Sequence, residues 1–149
     1  ARLTICGAAS PEPLPDYVPL VPFLKKDRPD DVKKLTDLYN ETSFLLMPSR
    51  AEAFGIVGLE ACAFGIPIIA SNTGGIPAIV QHEKNGLLVD KFEDASEFAS
   101  AIKRVYDDSD LYRKYCTGAR RFYEEHANWT AWAQRVKAVM QGCQQTKAC

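Results

Sequence analysis

The chain has 149 residues, which is the usual length of one compact domain. Hydrophobic residues make up 46% of it and charged residues 25%, a globular composition that argues against a disordered chain. The 18 Lys and Arg residues nearly balance the 19 Asp and Glu residues, so the formal net charge is −1. Bulk electrostatic binding of nucleic acid or of an anionic membrane is therefore excluded as the function.

The cysteines and histidines indicate the compartment and argue against a metal site. Five cysteines and two histidines are present, the cysteine number is odd, and no C-x-x-C pair occurs. This usage disfavours a disulfide framework and a zinc site, and it predicts a reducing compartment, the cytoplasm. No signal peptide is visible, and residues 1–5 have the pattern of the middle of a strand.

Short apolar strands alternate with helices over residues 1–90. Strands are predicted at 3–6, 18–24, 43–47, 66–70 and 86–89, and helices at 32–39, at 56–64 and, as a short element, near Pro77. Gly65 has the position of a helix C′ residue, and Pro67 prevents the second helix from continuing. Apolar strands joined by helical crossovers predict a parallel sheet that is covered on both faces.

Three further helices are predicted toward the end of the chain. Their predicted N-caps are Asp94, Ser109 and Thr130, and the helices run to about residues 105, 125 and 140. We therefore predict one doubly wound α/β domain over residues 1–143, followed by a frayed tail at 144–149.

The common catalytic signatures are absent, since the sequence has no G-x-G-x-x-G, P-loop, G-x-S-x-G or H-E-x-x-H. One dense cluster remains at residues 48–60, where a strand end, a turn and a helix start follow one another. In open parallel sheets, ligands bind outside the carboxyl ends of the strands, and a helix start offers unpaired amides to an anion or a hydroxyl. We expect the amides of Ala53, Phe54 and Gly55 to be unpaired.

Two carboxylates flank this helix start. Glu52 lies just before it, and Glu60 lies roughly 7 Å along it from Gly55, at ~1.5 Å per residue. A ligand with hydroxyls at both ends and phosphates between them, such as a nucleotide-sugar, fits this layout. The alternative is that Glu52 is a solvated loop acid near the helix dipole and Glu60 a surface residue. The sequence around Glu60 argues against a surface position, because its neighbours are apolar on nearly all sides and predict a mostly buried helix. An ionised carboxylate in such a helix needs a partner.

The cluster resembles the motif of one enzyme family. Pro48-Ser49-x-x-Glu52-x-Phe54-Gly55, continuing through Glu60 to Ala70, is similar to the family-4 retaining glycosyltransferases. The spacing from Glu52 to Glu60 matches that family's E-x7-E motif. The runs at 74–77 and 85–89 fall in that family's order, so the likeness covers nearly the whole chain.

The resemblance implies the C-terminal, donor-binding half of a GT-B architecture, in which two Rossmann-like domains close over a nucleotide-sugar and its acceptor. Glu52 is then expected to face the donor sugar, and Glu60 to bind the ribose hydroxyls. The amides after Glu52 are expected to contact sugar hydroxyls or the diphosphate. No cofactor or metal is implied, because the nucleotide-sugar, for example a UDP-, GDP- or ADP-sugar, is a substrate. Further candidates for the donor site are Ser49, Leu24, Thr73 and Gly74.

The sequence departs from the family pattern at several positions. Ala53 stands where Gly is common, and Ala78 where Glu often follows the Gly-Gly-x-Pro run. The first strand, the Arg and Lys that neutralise the diphosphate, and the acceptor-binding domain belong upstream of Ala1, so the fragment alone is expected to be inactive. The acceptor, and any peripheral membrane contact, are assigned to that missing half. The alternatives are a non-catalytic nucleotide-sugar or carbohydrate-binding module on the same fold and, with a poorer match, a GT-B epimerase.

Overall fold

The computed structural model describes residues 2–8 and 13–145, with side-chain surroundings up to residue 142. The chain divides into two compact units, Ala1–Glu41 and Thr42–Cys149. Each unit is built around parallel strands.

The first unit contains two strands and one helix. Strand β1 (Ile5–Cys6) pairs in parallel with β2 (Leu20–Val21), and helix α1 spans Pro29–Glu41. Both strands are shorter than the apolar runs predicted for them, because only these residues are in register with each other. Leu24, which follows β2, is buried in this unit.

The second unit contains a three-stranded parallel sheet in the order β3-β4-β5. Its strands are β3 (Leu45–Met47), β4 (Ile68–Ser71) and β5 (Gly86–Val89). The register pairs Leu46 with Ile69 and Ile69 with Leu87, which places these three side chains on one face of the sheet. All four residues of β4 are buried, as expected of a central strand that is covered on both faces.

Helices cover both faces of this sheet. On one face, Phe98 of helix α3 (Ala95–Tyr106) packs into a cluster with Ile69 and Val89. On the other face lies helix α2 (Ile56–Ala63), where a Cβ added to Gly58 would come within 3.5 Å of Ile68 Cδ1. The predicted α/β fold with a parallel, Rossmann-like, doubly wound sheet is therefore confirmed.

The C-terminal helices begin earlier than the sequence predicted. Helix α4 spans Ser109–Phe122, a π-helical segment spans Tyr123–Ala127, and helix α5 spans Trp129–Gln145. The predicted N-caps Ser109 and Thr130 are wrong. Asp108 accepts from the amides of Asp110 and Leu111 at 3.0 and 2.9 Å, and Asn128 Oδ1 accepts from the amide of Ala131 at 2.9 Å. In each case a polar side chain one or two residues upstream reaches the free amides first.

The end of α2 follows the sequence prediction. Gly65 has a φ of 69°, the left-handed conformation of a C′ residue. The amides of Gly65 and Ile66 donate to the carbonyls of Cys62 and Ala61, both at 3.0 Å, which is the hydrogen-bond pattern of a Schellman motif. Helix α5 includes residues 144–145, whereas the rest of the tail predicted to fray lies outside the described residues. Among the helices described, none combines the length and hydropathy needed to cross a membrane.

Candidate functional site

The carboxyl edge of the second sheet brings three loops together. Because β3, β4 and β5 are parallel, the segments that follow them leave the sheet at the same edge. The segment after β3, residues 48–55, carries the predicted site. The segment after β4, residues 72–75, contacts it directly, and the segment after β5, residues 90–95, lines an open cleft of about 600 Å³. The sequence motif therefore lies where open α/β sheets bind their ligands.

Glu52 is half-buried in the turn before α2. Its Oε1 accepts a hydrogen bond from the amide of Phe54 at 3.4 Å. The expectation that the Phe54 amide is unpaired is therefore wrong, because a carboxylate two residues upstream reaches back to it. A bond of this length is at the weak end of the range, so a ligand oxygen can replace it with little loss. The contact holds the Glu52 carboxylate beside the start of α2.

Gly55 makes the sharp turn into α2. Its φ of 87° is in the left-handed region, and a Cβ added there would lie 2.9 Å from Met47 Cε. As the N-cap it offers no side-chain acceptor, and no acidic residue occurs in the first turn of α2. The first amides of a helix have no intrahelical acceptor and favour negative charge. Within α2 no acidic residue competes for these first amides, whereas the Glu52 carboxylate lies just before them on the Phe54 amide and must leave it for an anionic ligand to bind there.

Glu60 lies in the second turn of α2, and its surroundings differ from the prediction. The helix is not buried on all sides, since the exposed fractions of Ile56 and Phe64 are 63% and 41%. Glu60 is four residues from each of them and shares their face, whereas Ala61 and Cys62 point into the core. The argument that burial alone forces a partner on Glu60 is therefore wrong. Glu60 is a half-buried carboxylate on an apolar, solvent-facing surface of α2. This surface begins at the predicted anion site.

The further candidates have different roles. Thr73 donates its hydroxyl to the carbonyl oxygen of Arg50 at 3.4 Å, and Gly74 lies against the backbone of Glu52. Both therefore contact the Glu52 turn itself. Ser49 is half-buried within that turn, whereas Leu24 is in the first compact unit.

Sequence reasoning missed two features of this edge. The amide of Gly75 donates to the carbonyl oxygen of Glu52 at 2.9 Å, and the guanidinium of Arg50 lies 3.9 Å from a carboxylate oxygen of Glu93. The Gly-Gly doublet in the loop after a buried strand was the signal for the first. Nothing in the sequence marked Glu93, because its contact depends on how the loop after β5 folds back. Among the described residues, no group of three or more His, Cys, Asp and Glu side chains is placed to hold a metal ion.

Residues 21–122 match the family described as glycosyl transferases group 1. The chain belongs to this family. It is 41% identical over 111 residues to D-inositol 3-phosphate glycosyltransferase of Corynebacterium jeikeium, an alignment that covers 74% of this chain and 25% of that protein. It is 33% identical over 119 residues to the enzyme of the same name from Corynebacterium kroppenstedtii, covering 80% of this chain and 25% of the relative.

Solved structures of other proteins share the fold. Sucrose-phosphate synthase from Thermosynechococcus elongatus superposes with a TM-score of 0.77 at 28% identity, over 99% of this chain and 39% of that one. Anabaena Alr3699/HepE, solved in complex with UDP, superposes with a TM-score of 0.70 at 22% identity, over 85% of this chain and 33% of that one. The chain therefore spans between a quarter and two fifths of the length of these proteins, and its fold is that of a Rossmann-like C-terminal half.

Proposed function

We propose that this chain is the donor-binding half of a family-4 retaining glycosyltransferase, which transfers a sugar from a nucleotide-sugar to an acceptor hydroxyl. The observation that carries the proposal is the Glu52 carboxylate held by the Phe54 amide beside a helix start that Gly55 leaves open. Membership of the glycosyl transferases group 1 supports the reaction class. The structural neighbour Alr3699/HepE, solved with UDP and with UDP-glucose, supports a nucleotide-sugar as the ligand.

In this proposal the two carboxylates of the E-x7-E motif have separate tasks. Glu60, in the second turn of α2, accepts from the ribose hydroxyls, and the first amides of α2 hold the diphosphate. Glu52 leaves the Phe54 amide and faces the donor sugar. Fixed amides and cations that stabilise the charge developing on the leaving diphosphate lower the barrier of transfer. No step in this scheme uses a metal ion or a cofactor.

The rest of the enzyme supplies what this chain lacks in the proposal. Arg50 is the cation within the motif, and its guanidinium lies near Glu93. We assign the Arg and Lys that neutralise the diphosphate, the first strand of the domain and the acceptor site to the preceding part of the polypeptide. We also propose a reducing compartment, the cytoplasm, which the free thiols of Cys6, Cys62 and Cys116 support.

Paired substitutions in the full-length protein test the two carboxylates. Glu60→Gln keeps the shape of the side chain but removes a charge-assisted acceptor, and it should weaken UDP binding about tenfold or more. Glu52→Gln should leave UDP binding within about twofold and lower kcat about a hundredfold, equivalent to about 3 kcal/mol. Calorimetry measures the affinity, and transfer assays with UDP-, GDP- and ADP-glucose measure the rate. The anomeric configuration of the product, determined by NMR, tests retention.

Glu125→Gln is the matched control for these substitutions. Glu125 is an exposed acid outside the motif, paired with Arg121 at 3.6 Å, and its replacement should change neither affinity nor rate. Normal turnover of the Glu52→Gln variant would indicate that Glu52 is only a solvated loop residue. UDP binding without transfer to any acceptor, in the wild-type full-length protein, would instead favour a non-catalytic nucleotide-sugar-binding module.

A further inference from the structure

The loop after β4 packs against the backbone of the Glu52 turn with no space between them. A Cβ added to Gly74 would lie 2.0 Å from the carbonyl oxygen of Glu52, and one added to Gly75 would lie 2.2 Å from the carbonyl oxygen of Ala53. Both distances are far shorter than real Cβ atoms keep. The two segments therefore approach as closely as backbones can, and only glycine fits at either position.

Hydrogen bonds fix the same contact at both of its ends. The amide of Gly75 donates to the Glu52 carbonyl oxygen at 2.9 Å, and the Thr73 hydroxyl donates to the Arg50 carbonyl oxygen at 3.4 Å. The loop itself is anchored to the next strand, because Asn72 donates its amide to the Val89 carbonyl at 2.9 Å and its Nδ2 to Asp90 at 2.7 Å. The loop after β4 therefore holds the backbone on both sides of Glu52.

We propose that Gly74 and Gly75 are positioning residues, which fix the direction of the Glu52 carboxylate by clamping the backbone of Glu52 and Ala53. This inference rests on the proposed function, in which Glu52 faces the donor sugar. Because the Glu52 side chain extends from the clamped backbone, a shift of that backbone displaces the carboxylate even after it has left the Phe54 amide for the donor sugar. A displacement of about 1 Å in a catalytic group can lower a rate about a hundredfold.

Gly118 is a matched control, because it is a closely packed glycine outside the candidate site. A Cβ added to Gly118 would lie 2.0 Å from the carbonyl oxygen of Lys84, the same distance as at Gly74. Lys84 precedes β5, so this contact is at the amino edge of the sheet, opposite the candidate site. A substitution there should disturb packing as much as one at Gly74 without moving Glu52.

The test compares Gly75→Ala with Gly118→Ala in the full-length protein. Gly75 has a φ of −84°, which alanine adopts freely, so this substitution adds the clash and no backbone strain. Both variants should have a lower Tm, and both are assayed at a temperature where circular dichroism shows them folded. Gly75→Ala should lower kcat about tenfold or more, and by a larger factor than it weakens UDP binding. Gly118→Ala should leave kcat and the Kd unchanged.

Three outcomes separate this inference from the proposed function. Normal kcat in folded Gly75→Ala, together with a slow Glu52→Gln, would overturn the positioning role and leave the proposed function intact. Normal kcat in Glu52→Gln would overturn the proposed function itself. If Gly75→Ala does not fold, Thr73→Val decides, because it removes one bond of the clamp without a clash. About a threefold fall in its kcat with unchanged UDP affinity supports the clamp, whereas unchanged kcat rejects it.

Discussion

At the scale of single residues, Cys62 is a thiol whose surroundings suppress its chemistry. The side chain is fully buried in α2, and Asn85 Nδ2 lies 3.8 Å from its Sγ. Burial raises the pKa of the Cys62 thiol to about 12, with the Asn85 contact opposing that effect. The fold therefore favours the protonated thiol. The protonated Cys62 thiol stabilises the folded chain, and this stabilisation is fully present below the pKa of an unfolded thiol, about 8.5. It is lost as the pH rises toward about 12.

This environment predicts very slow chemical labelling of Cys62. At pH 8 its thiolate fraction should be about a thousandfold below that of an unshifted thiol, because the thiolate is the reactive form. Cys6 is exposed and serves as the internal comparison. Peptide mapping after timed iodoacetamide treatment should find Cys6 modified first and Cys62 modified only in denaturant. Labelling of both at similar rates in the folded protein would contradict the assignment of Cys62 to the core.

The residues of the candidate site differ in how far the sequence determines them. Glu52, Gly55 and Glu60 follow from a strand end, a turn and a helix start, which are local features. The occupied Phe54 amide depends on the conformation of the Glu52 side chain, and the exposed face around Glu60 depends on packing; residue spacing encodes neither. The clamp by Gly75 joins two segments more than twenty residues apart, and only the β3-β4 register brings them together.

At the scale of elements, helix α4 shows where cap prediction fails. The link from α3 to α4 consists of Asp107 and Asp108, and three consecutive residues, these two and Ser109, have side chains that cap helices. Local sequence does not choose among them. The structure selects Asp108, whose φ of −117° and ψ of 99° are extended as an N-cap requires, because α3 does not end before Tyr106.

This cap assignment predicts a difference between two neighbouring substitutions. Asp108→Ala removes the acceptor of two amide hydrogen bonds and should lower the free energy of unfolding by about 1 kcal/mol. For a chain of this size, the Tm should fall by about 2–4 °C. Ser109→Ala should change the Tm by less than about 1 °C, since serine and alanine differ little within a first helical turn. An equal loss in both variants, measured by thermal unfolding, would show that the cap is shared or misassigned.

Elements whose ends have strong local signals are predicted well, and those set by neighbours are not. Strand β5 has the predicted bounds, and α2 differs only at its last residue, where Gly65 stops it. Strands β1 and β2 are shorter than their apolar runs, because pairing with a neighbour decides where a strand ends. Helix α5 starts two residues before its predicted position, since Asn128 also donates its Nδ2 to the carbonyls of Tyr123 and Glu124 in the π-helical segment.

At the scale of the whole molecule, the described site is one side of a larger one in the proposed enzyme. The carboxyl edge of the sheet supplies carboxylates and helix amides, and the guanidinium of Arg50 lies near the Glu93 carboxylate. A diphosphate needs cations to stabilise it as a leaving group, and exposed ion pairs contribute little by themselves. The relatives are about three to four times longer than the part of them that this chain matches, which leaves room for the cations and the acceptor site.

The isolated 149-residue chain and its full-length protein should differ in both UDP binding and sugar transfer. The isolated chain should bind UDP about tenfold or more weakly, because the helix amides and Glu60 remain while the cationic contacts are lost. It should show no sugar transfer, since the acceptor is not held near the donor and proximity supplies much of the rate. Calorimetry and a transfer assay measure both quantities, and a Glu52→Gln chain purified in parallel controls for contaminating enzyme. Transfer by the wild-type chain that disappears in this control would show that a single domain holds the whole active site.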